Sequence, residues 1–207
     1  MPAPAVLDVF YPIVPDASWA RRLVPLGIRT VQLRYKGTDA REIRREIAES
    51  LELCIAHGCQ LIVNDHWQAA IDVGADFVHL GQEDLADADL AIIKAAGVRL
   101  GISTHDEPEL AIALAAEPDY VALGPIWETK LKVMKWAPQG LDRVRTWKQK
   151  IGPLPLCAIG GITPERAPDV LASGADCVAV ITDFFTHPDP ESRVRQWLEW
   201  AKGMRRA

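Results

Sequence analysis

A short apolar run followed by a helical segment recurs eight times in 207 residues, at about 26-residue spacing, and few folds accommodate that rhythm. The runs are LDVFYPIV from Leu7, TVQL from Thr30, QLIV from Gln60 and DFVHL from Asp76, then VRLGIS from Val98, DYVAL from Asp119, LPLCAI from Leu154 and DCVAV from Asp176. They are mostly apolar and β-branched and do not alternate cleanly with polar residues, the pattern of parallel strands covered on both faces. Strands alternating with helices predict βαβ units and a parallel sheet. An open doubly wound sheet shares part of this pattern. Eight near-equal repeats, with no GxGxxG after the first strand, favour closure into a single (β/α)8 TIM barrel occupying residues 1–207.

Punctuation between the runs supports the reading. Ala40 to His57 predicts a helix, with Ile43, Ile47, Leu51 and Ile55 four apart on one face, and Gly58 suits the left-handed position that ends it. VGAD at Val73 to Asp76 and SGAD at Ser173 to Asp176 each close a helix on Gly and start a strand at once. Thr163-Pro164-Glu165 predicts an N-cap Thr with Pro at the first helical position.

The chain is 49% hydrophobic and 25% charged, as ordinary globular proteins are, and is long enough to bury a large core. Lys and Arg number 23 against 28 Asp and Glu, a net charge of −5, which argues against a nucleic-acid binder but not against small phosphorylated substrates. The opening MPAPAVLDVFYPIV lacks a basic n-region, and no apolar run approaches the roughly 20 residues that span a bilayer, so no membrane partner and a cytoplasmic location are expected. Cys54, Cys59, Cys157 and Cys177 form no CxxC pair; Cys157 and Cys177 lie in apolar strand-like runs, where buried reduced thiols are expected. The oligomeric state, a homo-oligomer included, is left open.

Active sites of such barrels are built at the carboxyl ends of the strands. Those positions carry Arg34 and Lys36 after the second run, Asn64 and Asp65 after the third, Glu83 and Asp84 after the fourth, and Ser103 and Thr104 at the end of the fifth. The sixth runs into GPIWETKLKVMK, the seventh ends in IGGIT and the eighth in VIT. Each has a bland alternative: solvated charges for Arg34 and Lys36, helix caps for Asp65 and Asp84, turns for Asn64 and for Gly160-Gly161. Together they make a chemical unit. Two carboxylates on adjacent strand ends can hold Mg2+, and Arg34, Lys36 and Lys132 can balance a polyphosphate. Gly160-Gly161 and the eighth strand end can cradle a phosphate with backbone N–H groups. Two anion sites imply two phosphorylated small-molecule substrates.

The chain resembles the thiamine-phosphate synthase family along almost its whole length. The resemblance rests on QLRYKG at Gln32 to Gly37, VND at Val63 to Asp65, HLGQEDL at His79 to Leu85, GIST at Gly101 to Thr104, LGPIWETKLK, APQGL at Ala137 to Leu141, IGGIT, and the GAD segment running to VIT. It implies condensation of a hydroxymethylpyrimidine diphosphate with a thiazole phosphate, releasing pyrophosphate by a dissociative, Mg2+-assisted route. By position it assigns Asp65 and Asp84 to Mg2+. Gln32, Arg34, Lys36, Asn64, Ser103 and Lys132 go to the pyrimidine diphosphate, with Arg34, Lys36, Ser103 and Lys132 as the catalytic set. Thr129, Gly160, Gly161, Ile181 and Thr182 go to the thiazole phosphate.

Three departures stand out. Tyr35 replaces a common Glu, and His66 replaces a frequent acidic residue and is read as a structural neighbour. The usual P-T-x-T-K loop reads Glu128-Thr129-Lys130-Leu131-Lys132, without its second threonine, with Lys130 and Lys135 as extra cations. Among rivals, a thiazole tautomerase would need a general-base His where Pro125 stands, and a thiamine-phosphate sensor would need no carboxylate pair. A sugar-phosphate isomerase would want an acid–base pair at the strand ends.

Overall fold

The strand and helix rhythm closes on itself. In the computed structural model, which describes residues 7–129 and 136–205, eight parallel strands pair in chain order and the eighth pairs back with the first. They are β1 Phe10–Val14, β2 Thr30–Leu33, β3 Gln60–Asn64, β4 Phe77–Leu80, β5 Arg99–Thr104, β6 Tyr120–Leu123, β7 Leu156–Ile159 and β8 Cys177–Val180. The helices are α1 Ala17–Leu23, α2 Ala40–His57, α3 Trp67–Val73, α4 Gln82–Asp87, α5 Leu90–Ala95, α6 Glu107–Ala115, α7 Gly140–Ile151, α8 Ala167–Ala172, α9 Thr182–Phe185 and α10 Pro190–Met204. The expected closed barrel is therefore found, though its spacing is uneven: β7 starts 36 residues after β6, because the strand-six loop precedes α7. Among the described residues no helix is long and apolar enough to cross a membrane.

Alternate strand residues face opposite sides, which divides the apolar side chains into two layers. Tyr11, Ile62, Phe77, Tyr120, Cys157 and Cys177 fill the barrel interior. Their chain neighbours Phe10, Leu61, Val78, Val121, Leu156 and Val178 pack outward under the helices. Both faces are thus apolar, which is why the sequence runs lack clean alternation. Gly101 has a specific steric task here. A Cβ on it would come within 2.1 Å of the Tyr120 ring, so only Gly lets that ring lie across the barrel. All four cysteines are free and buried.

The helices end as their chemistry dictates. Asp39 caps α2 through its carboxylate, and Gly58, at φ 62°, closes it. The buried face of α2 differs from the expectation: Ile43, Ile47, Ser50 and Cys54 are buried, whereas Ile55 is 72% exposed. Residues four apart drift by about 40° per step on a 3.6-residue helix, so three steps rotate Ile55 out of the contact. At Thr163 the expected helix start is also displaced. Pro164 to Arg166 form a turn in which Arg166 and Ala167 N–H groups donate to Thr163 O, and α8 begins at Ala167 with Arg166 as its cap. The two GAD repeats do what their spacing suggested. Gly74 and Gly174 take positive φ, and the following Asp76 and Asp176 lock strand starts, Asp76 accepting from Arg99 at 2.9 Å and Asp176 from Leu156 N at 2.8 Å.

Candidate active site

The carboxyl ends of β2 to β5 form a polar quadrant. Gln32 and Asn64 are buried at 2% and 6% exposure, and the Gln32 side chain reaches the Tyr120 hydroxyl. Asn64 O accepts from His66 N at 2.8 Å, so the chain turns sharply after β3. Asp65 sits at that turn with φ 65°, a left-handed conformation that Asp and Asn tolerate better than other non-glycine residues. Its amide donates to His79 O on the next strand, which aims the carboxylate across the barrel mouth. Neither Asp65 nor Asp84 is a helix N-cap: His66 caps α3, and Asp84 lies in the first turn of α4, which Gly81 caps.

The two carboxylates come together. Asp65 and Asp84 lie within hydrogen-bonding reach of one another. Partial burial, and then the Asp65 charge, hold the Asp84 carboxyl above the usual carboxylate range, with Lys36 opposing. Lys36 Nζ donates to Asp65 Oδ2 at 2.5 Å, so it is no free solvated charge. Crowded carboxylates that repel one another suit a hard divalent cation with oxygen ligands. Among the described residues no group of three His, Cys, Asp or Glu could close around a metal. A cation held by this pair would therefore take its remaining ligands from water or a phosphorylated substrate, as Mg2+ does.

Opposite this quadrant, the ends of β6 to β8 offer backbone. Gly160 and Gly161 have φ of 102° and 65°, and a Cβ on either would meet the strand-six loop at 2.7 Å, Pro125 in one case and Glu128 O in the other. Both glycines are thus required by conformation and by close approach. Ile126 N and Trp127 N donate to Ile159 O and Gly160 O, pinning the loop to β7. Thr129 Oγ1 lies 3.4 Å from Thr182 Oγ1, which joins that loop to the end of β8. Ile181 precedes the short helix α9, whose Asp183 accepts from Arg193 Nε and Trp197 Nε1 on α10, both at 2.8 Å. Lys132, with Lys130, Leu131 and Lys135, lies outside the described residues.

Among the residues with expected roles, Gln32, Arg34, Lys36, Asn64, Asp65, Asp84 and Ser103 lie at the β2 to β5 ends, and Thr129, Gly160, Gly161, Ile181 and Thr182 at the β6 to β8 ends. Thr104 faces the other way, bonded to Ala122 O and Trp147 Nε1 as a structural residue. His66 is also structural, its Nε2 meeting Tyr35 O at 3.0 Å. Sequence reasoning passed over His79. It is 6% exposed, with Nε2 at 2.8 Å from Ser103 Oγ and Nδ1 at 2.7 Å from the Tyr120 hydroxyl. Burial holds its imidazole down at about 4, against the pull of Asp65 and with the Arg34 guanidinium adding to the push. Its signal was parity: His79 shares the inward face of β4 with Phe77.

Comparison with known proteins gives the family of the chain. The family model described as thiamine monophosphate synthase matches residues 11–184. A thiamine-phosphate synthase of Rhizobium etli is 60% identical over 192 residues, covering 93% of this chain and 94% of that one. The thiamine-phosphate synthase of Neisseria meningitidis serogroup A is 47% identical, covering 90% and 91%. In structure, the chain is similar to the thiamine phosphate pyrophosphorylase from Pyrococcus furiosus, with a TM-score of 0.82 over 95% and 96% of the two chains; at 24% identity that likeness shows the fold alone. The chain belongs to the thiamine monophosphate synthase family of transferases.

Proposed function

We propose that this enzyme condenses 4-amino-2-methyl-5-hydroxymethylpyrimidine diphosphate with 4-methyl-5-(2-hydroxyethyl)thiazole phosphate, or its carboxylated form, to give thiamine phosphate and pyrophosphate. The observation that carries the reading is the division of the barrel mouth. A carboxylate pair with Lys36 stands on one side, and a glycine-lined backbone cradle beside Thr129 and Thr182 stands on the other. Arg34 and Lys36 would bind the diphosphate and stabilise charge as it accumulates on the departing pyrophosphate, with Lys132 assigned to the same task by the resemblance. Asp65 and Asp84 fit Mg2+, which when bound neutralises the diphosphate and eases its departure. Gln32, Asn64 and Ser103 would orient the pyrimidine. Gly160, Gly161, Ile181, Thr182 and Thr129 would hold the thiazole phosphate so that its ring nitrogen faces the carbon left electron-poor. No general base is needed for that capture.

The tautomerase reading fares worse, since its proton-transferring position is Pro125, whose carbonyl accepts from Gln139 N and whose ring packs under Gly160. A coupled assay of pyrophosphate release with both substrates and Mg2+ tests the proposal. Release that requires both substrates is expected; isomerisation of a thiazole phosphate alone, or binding without turnover, would replace it with a rival.

A further inference from the structure

A chain of polar contacts leads from the site into the barrel interior. Ser103 Oγ lies 2.8 Å from His79 Nε2, and His79 Nδ1 lies 2.7 Å from the Tyr120 hydroxyl. That hydroxyl is 3.4 Å from the hydroxyl of Tyr11, to which Cys157 Sγ donates over 3.3 Å. The Gln32 side chain also approaches the Tyr120 hydroxyl. His79, Tyr120, Tyr11 and Cys157 are all buried.

Each hydroxyl has one proton to give, so the polarity of one link sets the next. The Tyr120–His79 link decides. A phenol O–H is a good donor and its oxygen a poor acceptor, whereas an unprotonated imidazole nitrogen accepts well, and 2.7 Å suits a short O–H···N bond. The Tyr120 hydroxyl also meets the Tyr11 hydroxyl and the Gln32 side chain, both able to donate to the lone pairs its oxygen keeps once its proton goes to Nδ1. Tyr120 therefore donates to Nδ1, the ring proton sits on Nε2, and Nε2–H donates to Ser103 Oγ. Among the described residues His79 is the partner of that hydroxyl, whose own proton is left to point into the site.

We propose that His79 and Tyr120 are positioning residues that keep the Ser103 proton free for the ligand, so that Ser103 can donate a hydrogen bond to an unprotonated acceptor atom there. On the synthase reading, on which only the ligand's identity rests, that atom belongs to the pyrimidine diphosphate. The ordering favours a substrate that presents a lone pair at that point.

The test is ring 15N NMR of the full-length labelled protein without substrate, with His79 assigned through His79→Gln. A pyrrole-like Nε2 with a pyridine-like Nδ1 is expected; the reverse tautomer, or two pyrrole-like nitrogens, overturns the proposal. In Tyr120→Phe the two nitrogen shifts should move toward one another as tautomers exchange. KM for the pyrimidine diphosphate should rise about tenfold, the scale of one hydrogen bond, with a smaller change for the thiazole phosphate. An unchanged His79 spectrum in that variant would remove Tyr120 from that role. If Tyr120→Phe does not fold, the wild-type tautomer still decides. Absence of pyrophosphate release from the wild type would sink the synthase reading and leave the tautomer result standing.

Discussion

Asp84 is held against its own charge. Its folded carboxyl titrates above the usual range, so its ionised form destabilises the protein above that pH and the effect fades as pH falls. Asp84→Asn should therefore leave thermal stability unchanged or raised in metal-free buffer while turnover drops at least about a hundredfold, as loss of a metal-holding carboxylate would demand. Paired melting curves and pyrophosphate-release rates check this; near wild-type turnover at low Mg2+ would rule the role out. Asp65→Asn should behave alike in activity and keep the left-handed turn, since Asn tolerates it as well. His79 has the opposite sign of linkage. Its ring titrates at about 4 folded and near 6.5 unfolded, so the unfolded chain takes up the proton first. Its contribution, about 3 kcal/mol, is complete above about pH 6.5 and is lost as pH falls toward 4. Urea unfolding from pH 7 to pH 4 should lose less stability in His79→Gln than in the wild type; equal slopes would contradict the assignment.

Between the single residue and the barrel, short elements carry the half of the mouth proposed to bind the thiazole phosphate. The helix α9 is only Thr182–Phe185, too short to stand alone, and Asp183 ties it to α10 through Arg193 and Trp197. Asp183→Ala should cost about 2–4 kcal/mol of stability, because it strands a half-buried guanidinium and an indole N–H. It should also raise KM for the thiazole phosphate more than for the diphosphate; equal changes would separate α9 from that subsite. Within residues 130–135, Lys132→Ala is expected to lower kcat more than it raises KM, with about 2–4 kcal/mol of transition-state stabilisation lost. An unchanged kcat would pass the role to Lys130 or Lys135. The elements themselves were legible to different depths. The end of α2 followed from Gly58, a local signal, while its buried face did not, because which stripe packs depends on what lies beneath it.

At the scale of the whole barrel, the interior is a stack whose layers must fit one another. Gly101→Ala would drive a methyl into the Tyr120 ring, 2.1 Å away, and overpacking of this kind costs about 1–3 kcal/mol or more. The loss should shrink when Gly101→Ala is combined with Tyr120→Leu, a non-additivity that a double-mutant cycle measures. Strictly additive losses would mean that the two residues do not share the space.

Closure of eight strands was determined by the sequence alone, because the period of apolar runs and the glycines that end helices are local instructions repeated along the chain. The strand-end residues were also readable, since parallel strands deliver their carboxyl ends to one face. Proximity across the mouth was not. That Asp65 presses on Asp84, that Lys36 closes on Asp65, and that His79 bridges Ser103 to Tyr120 depend on which neighbouring strands pair and in what register. The register is set by packing of the barrel interior, a long-range energy that no single segment contains.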